Sequence, residues 1–206
     1  MSNDPARVRE FFTARADGWD ARFPGDGPAY DAAVADLGLR DGDTVLDAGC
    51  GTGRALSALR SAVGPRGAVL GADLTPAMLN AAVRAGRHHH GLLMVTDVGR
   101  LPLRGGSVDA VFAAGLIAHL ADATAGLREL ARVVRPGGRL ALFHPIGRAA
   151  LAARQGRELT PEDQRAEPRL RPLLADGGWD LISYTDEDTR FLALAVRRGR
   201  PGPNRP

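Results

Sequence analysis

The stretch "TVLDAGCGTGRA", Thr44 to Ala55, places an acid, Asp47, just before three glycines spaced by two, Gly49, Gly51 and Gly53. Its first half is an apolar run of strand type, and "RALSALRSAV" behind it repeats leucines at helical spacing. Working outward, "GAVLGAD" reads as a second strand, and "TPAMLNAAVRAG" as a helix that opens with Thr75 as cap and Pro76 in the first turn. "GLLMVTD" and "DAVFAAG" follow as third and fourth strands; "ATAGLRELARVV" is a helix closed by "RPGG", and "RLALFHP" a fifth strand. Strands alternating with helices predict an α/β fold, a doubly wound and mostly parallel sheet covered by helices on both faces. After a 29-residue connection rich in Arg, Pro and Glu, Gly147 to Ala175, "WDLISYTDEDTRFLALAVRR" reads as two strands joined by an acidic turn. No helix separates them, so they form an antiparallel hairpin.

The 206 residues, 44% hydrophobic and 25% charged, fit one globular domain with a core of its own. The longest apolar run, Ala110 to Ala118, is too short to span a bilayer, and no charged start leads into an apolar stretch, so a soluble, cytoplasmic protein is expected. Cys50 is the single cysteine, which excludes an internal disulfide and reads as a small buried filler. The net charge is only +3, and all 27 basic residues are arginine. Arg197, Arg198, Arg200 and Arg205 cluster around a Gly/Pro-rich end that reads as a frayed, disordered tail over 199–206. "RHHHG", His88 to His90 at its centre, reads as a solvated loop, and no metal site is expected.

Ligands of such sheets sit beyond the carboxyl ends of the strands, which singles out Asp47 to Gly53, Asp73, Asp97, Ala113 to Gly115 and His144. The dinucleotide fingerprint G-x-G-x-x-G needs a glycine at position 54, where Arg54 stands. Asp47 would also repel a pyrophosphate at a turn that attracts anions. It suits a ligand that brings an ammonium group, while the glycines allow close backbone approach and the following helix favours a carboxylate. Asp73 ends the second strand 20 residues after Gly53, where an acid accepts hydrogen bonds from ribose hydroxyls. An amino acid at one end and a nucleoside at the other describe S-adenosylmethionine.

On these residues, from about Phe11 to Arg198, the chain resembles the class I, seven-stranded S-adenosylmethionine-dependent methyltransferases, of the small-molecule, quinone-biosynthesis type. "VLDAGCGTG" is similar to the family's first motif, "GADLTPAML" to its acidic second, and "TDVGRLPLRGGSVDAVFAAGLIAHL" to its third and fourth. The resemblance implies that Gly49, Gly51 and Gly53 lie along the methionine part and that Asp73 holds the ribose. It further implies that Leu74 and Met78 flank the adenine, that Asp97 and the Val98 backbone read its edge, and that the Ala113 carbonyl meets the ammonium. One domain over 1–198 is expected: an N-terminal helical lid (1–40), a cofactor-binding core (41–146), a short lid or connection (147–175) and the hairpin (176–198). In the lid, Trp19 takes the place of the aromatic that folds over the donor, where its face gains about 1 kcal/mol or more from a nearby sulfonium.

The donor's methyl is already activated, so the protein has to align an acceptor and exclude water. If the acceptor carries a proton, His119 and His144 are the candidate bases. "AAGL" stands where adenine and glutamine amino-methylases carry an Asn/Asp-Pro-Pro-aromatic sequence, and no Pro-Cys is present for the covalent cytosine route. The expected partner is therefore a small-molecule acceptor, methylated on O, N or C, with no membrane and no nucleic acid. The basic pI of about 9.9 and the arginine tail leave an RNA or protein methyltransferase as an alternative, and a non-catalytic domain binding S-adenosylmethionine or S-adenosylhomocysteine as another.

Overall fold

A computed structural model describes residues 4–199. The N-terminal segment forms helix α1 (Pro5–Thr13), two 3-10 turns (Ala16–Gly18, Asp20–Arg22) and helix α2 (Gly27–Leu37). The core then runs β1 (Thr44–Ala48), α3 (Leu56–Val63), β2 (Ala68–Asp73), α4 (Pro76–Arg84), β3 (Leu92–Val95), β4 (Val108–Ala114), α5 (Ala123–Val133) and β5 (Val134–His144). Helices α6 (Arg148–Arg154) and α7 (Glu167–Asp176) precede the hairpin of β6 (Trp179–Glu187) and β7 (Arg190–Arg197).

The seven strands lie in the order β3-β2-β1-β4-β5-β7-β6. Pairs β1–β2, β1–β4, β2–β3 and β4–β5 are parallel, and β7 runs antiparallel to both β5 and β6. Because successive side chains of a strand point to opposite faces, each strand feeds two cores. Val45, Phe112, Ala141 and Phe143 meet α2 and α3 on one face, while Leu46, Val111, Leu140 and Leu142 meet α5 and α7 on the other. Trp179 is wholly buried on the second face, with its indole N–H donating to Leu127 O at 2.9 Å. The chain winds outward from β1 through β2 to β3, then returns to β4 on the other side of β1. That reversal opens a crevice above the carboxyl ends of β1 and β4.

Four expectations are corrected. "RPGG" does not close a helix before the fifth strand; β5 already begins at Val134, which pairs with Val108, and a register shift between Val108 and Ala110 absorbs the glycines. The connection at 147–175 is no plain link, since it holds α6 and all of α7 but its last residue, and Leu170 and Leu174 of α7 are fully buried. Thr75 stands at the N-cap of α4 without making the side-chain cap bond; its hydroxyl turns to Asp73 instead. "RHHH" forms a 3-10 turn, Arg87–His90. Of the late arginines, Arg198 pairs with Asp180 at 2.8 Å and Arg197 donates to Val134 O, so both belong to the folded hairpin. The tail from residue 200 onward, with Arg200 and Arg205, lies outside the described residues. Among the described residues no helix is long and apolar enough to cross a membrane.

Candidate functional site

The turn after β1 is built by backbone. Gly49, Gly51 and Gly53 all have positive φ, at 70°, 54° and 80°, a region that costs residues with a Cβ roughly 1 kcal/mol or more. Gly49 N and Cys50 N donate to Ala72 O at 2.8 and 3.0 Å, tying the turn to β2. Gly51 is distinct: a Cβ there would meet nothing within 4 Å, so its bare backbone borders open space.

Two carboxylates converge below it. Asp73 Oδ2 accepts from Gly51 N at 2.8 Å and Oδ1 from Thr75 N at 2.8 Å. Burial raises its pKa, and those bonds oppose the rise. Each oxygen keeps a second lone pair for a hydroxyl donor. Asp47, 1% exposed, is in a different state. Its Oδ2 is the one buried side-chain N or O atom among the described residues that has no hydrogen-bond partner. Burial, and then the neighbouring Asp73, push its carboxyl up to about 8. An orphaned acceptor of this kind costs about 1–3 kcal/mol, and a cationic donor beside it would recover that. The residues present thus fit S-adenosylmethionine: an unpartnered acid for the ammonium, an open glycine face for the methionine part and an acid with spare lone pairs for the ribose. Leu74 is half-buried beside Asp73, and Met78 is closed into the inner face of α4 at 2% exposure. Asp97 is exposed and holds its own loop through Gly99 N at 2.8 Å; Val98 and Ala113 are buried. Burial pushes the Cys50 thiol up, which leaves it inert.

The N-terminal segment is clasped onto this turn by contacts that the sequence did not reveal. Thr52, between two of the glycines, donates its hydroxyl to Asp20 Oδ1 at 2.7 Å, and Asp20 Oδ2 pairs with Arg87 at 2.6 Å. Arg54 reaches Asp26 at 3.2 Å and Phe23 O at 2.6 Å. The one local signal was the acid directly after Trp19. Trp19 itself stands in an aromatic cluster, 5.5 Å from Phe12 and 5.3 Å from Phe23 between ring centroids. Phe12 in turn packs edge-on against His119 at 5.0 Å, so the cluster links the N-terminal segment to the loop after β4. Tyr30 of α2 packs on Phe143 at 5.0 Å, and burial raises its hydroxyl pKa.

The structure brings both predicted histidines to one side of the crevice. His119 ends the 3-10 turn Ile117–His119 and is exposed on one side; His144 ends β5. Burial, together with the Arg165 guanidinium, lowers the pKa of each imidazole. Both are neutral near pH 7 and carry a free lone pair. His144 Nδ1 lies 2.9 Å from Ile146 O. The Ile146 N–H also faces the same nitrogen, at 3.3 Å.

Residues 46–142 match the family described as "Methyltransferase domain", and the strand order is that of solved S-adenosylmethionine-dependent methyltransferases. Malonyl-[acyl-carrier protein] O-methyltransferase of Serratia marcescens is 37% identical over 134 residues, 60% of this chain and 50% of that protein. Demethylmenaquinone methyltransferase of Staphylococcus aureus is 36% identical over 106 residues, 51% of this chain and 44% of the other. The chain spans about half the length of these curated relatives. Magnesium protoporphyrin IX methyltransferase from Synechocystis PCC 6803, solved with bound S-adenosylhomocysteine, superposes with a TM-score of 0.73 at 24% identity, covering 94% of this chain and 100% of that one.

Proposed function

We propose that the chain transfers a methyl group from S-adenosylmethionine to an oxygen, nitrogen or carbon of a small molecule. The observation that carries this reading is the orphaned Asp47 oxygen, neighbour to the Asp73 carboxylate that accepts from the open Gly51. In this reading Gly49, Gly51, Gly53 and the Ala113 carbonyl line the methionine part, and Asp47 answers its ammonium. Asp73 binds the ribose, Leu74 with Met78 behind it walls the adenine, and Asp97 with the Val98 backbone reads its edge. Trp19 closes the donor side from the N-terminal segment. When bound, the donor supplies a methyl already activated by its sulfonium. The chain's own work is alignment, exclusion of water by the N-terminal segment, and proton removal by the neutral imidazoles of His119 or His144. The name of the demethylmenaquinone methyltransferase relative supports a small-molecule acceptor.

Calorimetry with S-adenosylhomocysteine tests the donor site, and absence of binding refutes the reading. Incubation with methyl-labelled donor and cell extract tests the acceptor, with label expected in the small-molecule fraction. Label confined to RNA or protein would overturn that part. Full turnover in both His119→Ala and His144→Ala would remove these residues as bases.

A further inference from the structure

Five polar or charged side chains are buried among the described residues: Asp47, Thr52, Asp73, Thr75 and Arg165. The first four belong to the donor turn and its support. Arg165, 8% exposed, does not; it stands between α6 and α7, far along the chain from every motif above.

Its position is fixed from several sides. Nε and Nη2 bond Asp163 Oδ1 and Oδ2 at 3.2 and 3.0 Å, and its carbonyl accepts the Tyr184 hydroxyl at 2.9 Å. The guanidinium lies 6.0 Å from the centroid of Phe191, the residue that pairs with His144 across β5 and β7. It also lines a cleft of about 240 Å³ together with Ile117 and Ala118, the residues directly before His119. Arg157, Glu162 and Asp163 are the other charged groups of this cleft, and the buried Arg165 charge acts on both candidate bases, His119 and His144. Asp163 occupies the Nε and Nη2 edge of the guanidinium, which leaves the Nη1 edge for another acceptor.

We propose that Arg165 anchors an acidic hydroxyl of the acceptor, a phenol or enol, and holds its oxygen as an anion in this cleft. The inference rests on the methyl-transfer reading and names the substrate class for the same site. The hydroxyl's O–H bond breaks, its electron pair stays on the oxygen, and the proton passes to the lone pair of His119 or His144. A carboxylic acid would arrive already ionised and would need no base, whereas a phenol or enol uses both features of the site. The cleft volume admits a molecule of single-ring size.

The probe is 4-nitrophenol, whose anion absorbs visible light, titrated against pH with the full chain, with and without S-adenosylhomocysteine. A guanidinium in direct contact lowers the pKa of an acid by about one unit or more, so the bound probe should show an anion fraction raised about tenfold below its own midpoint. Arg165→Gln should abolish this shift while S-adenosylhomocysteine affinity is retained. Asp163→Asn should enlarge it by freeing the guanidinium edge, which gives a second reading if Arg165→Gln does not fold. An unshifted titration in the wild type, or a shift that survives Arg165→Gln or fails to respond to Asp163→Asn, overturns the inference. Failure to bind S-adenosylhomocysteine sinks the methyl-transfer reading instead, and the probe titration without it still decides the role of Arg165.

Discussion

The proposed contact of Asp47 with the donor ammonium predicts that donor binding is a proton-linked event. The Asp47 carboxyl, pushed up to about 8 in the ligand-free protein, is protonated at neutral pH, whereas an ammonium beside it requires the carboxylate. Binding below pH 8 must therefore expel a proton. At pH 6, about two units below that midpoint, ionisation costs about 2.7 kcal/mol; with half the carboxyl still protonated at pH 8, affinity for S-adenosylhomocysteine should rise about 50-fold between pH 6 and pH 8. Above about 8 the ligand's own α-amino group loses its proton and affinity should fall again, giving a maximum near pH 8. Stability of the ligand-free protein runs the other way. A raised carboxyl pKa contributes stability that is full below the unfolded value of 3.8 and is lost as pH rises through about 8. Asp47→Asn should flatten both trends. Calorimetry in two buffers of different ionisation enthalpy reads the proton release directly, about one proton per ligand at pH 6. Equal affinities at pH 6 and 8, or the same slope in Asp47→Asn, would refute the assignment of the ammonium to this acid.

Asp73→Ala should weaken S-adenosylhomocysteine binding by about 1–3 kcal/mol through loss of charge-assisted hydrogen bonds, and unchanged affinity by calorimetry would contradict the ribose role. Gly51→Val should abolish binding, because its side chain enters the open space at φ 54°; thermal unfolding should show a smaller loss, on the order of 1–2 kcal/mol. Asp20→Ala should loosen the N-terminal segment by about 1 kcal/mol, since its bonds to Thr52 and Arg87 are only partly screened. Faster amide exchange over residues 5–23, with exchange in β1 and β4 unaltered, is the expected signature.

The α/β alternation was legible because buried parallel strands such as "TVLDA" and "VDAVFAA" are mostly apolar and run directly into a glycine, Gly49 or Gly115. The carboxyl ends of those strands are where ligands of such sheets sit, which singled out Asp47, Asp73 and the glycines, and the structure brings these residues together at one turn. Helix α7 was hidden by Pro168 and Pro172 and two arginines, Arg169 and Arg171, with Leu170 and Leu174 too sparse a stripe to outweigh them. The strand character of "RPGG" depends on a partner, Val108, that no local rule supplies. Arg165 and the Asp20–Thr52 bond escaped for the same reason: their meaning lies in which distant residue they meet, Phe191 and Ile117 for one and the Gly-rich turn for the other.

The hydroxyl of Thr52 gives the molecule a tempo as well as a shape. That hydroxyl sits between two glycines of the turn and holds down the segment above through Asp20. Breathing of the first two dozen residues and loosening of the Gly-rich turn are thereby tied to one short polar contact.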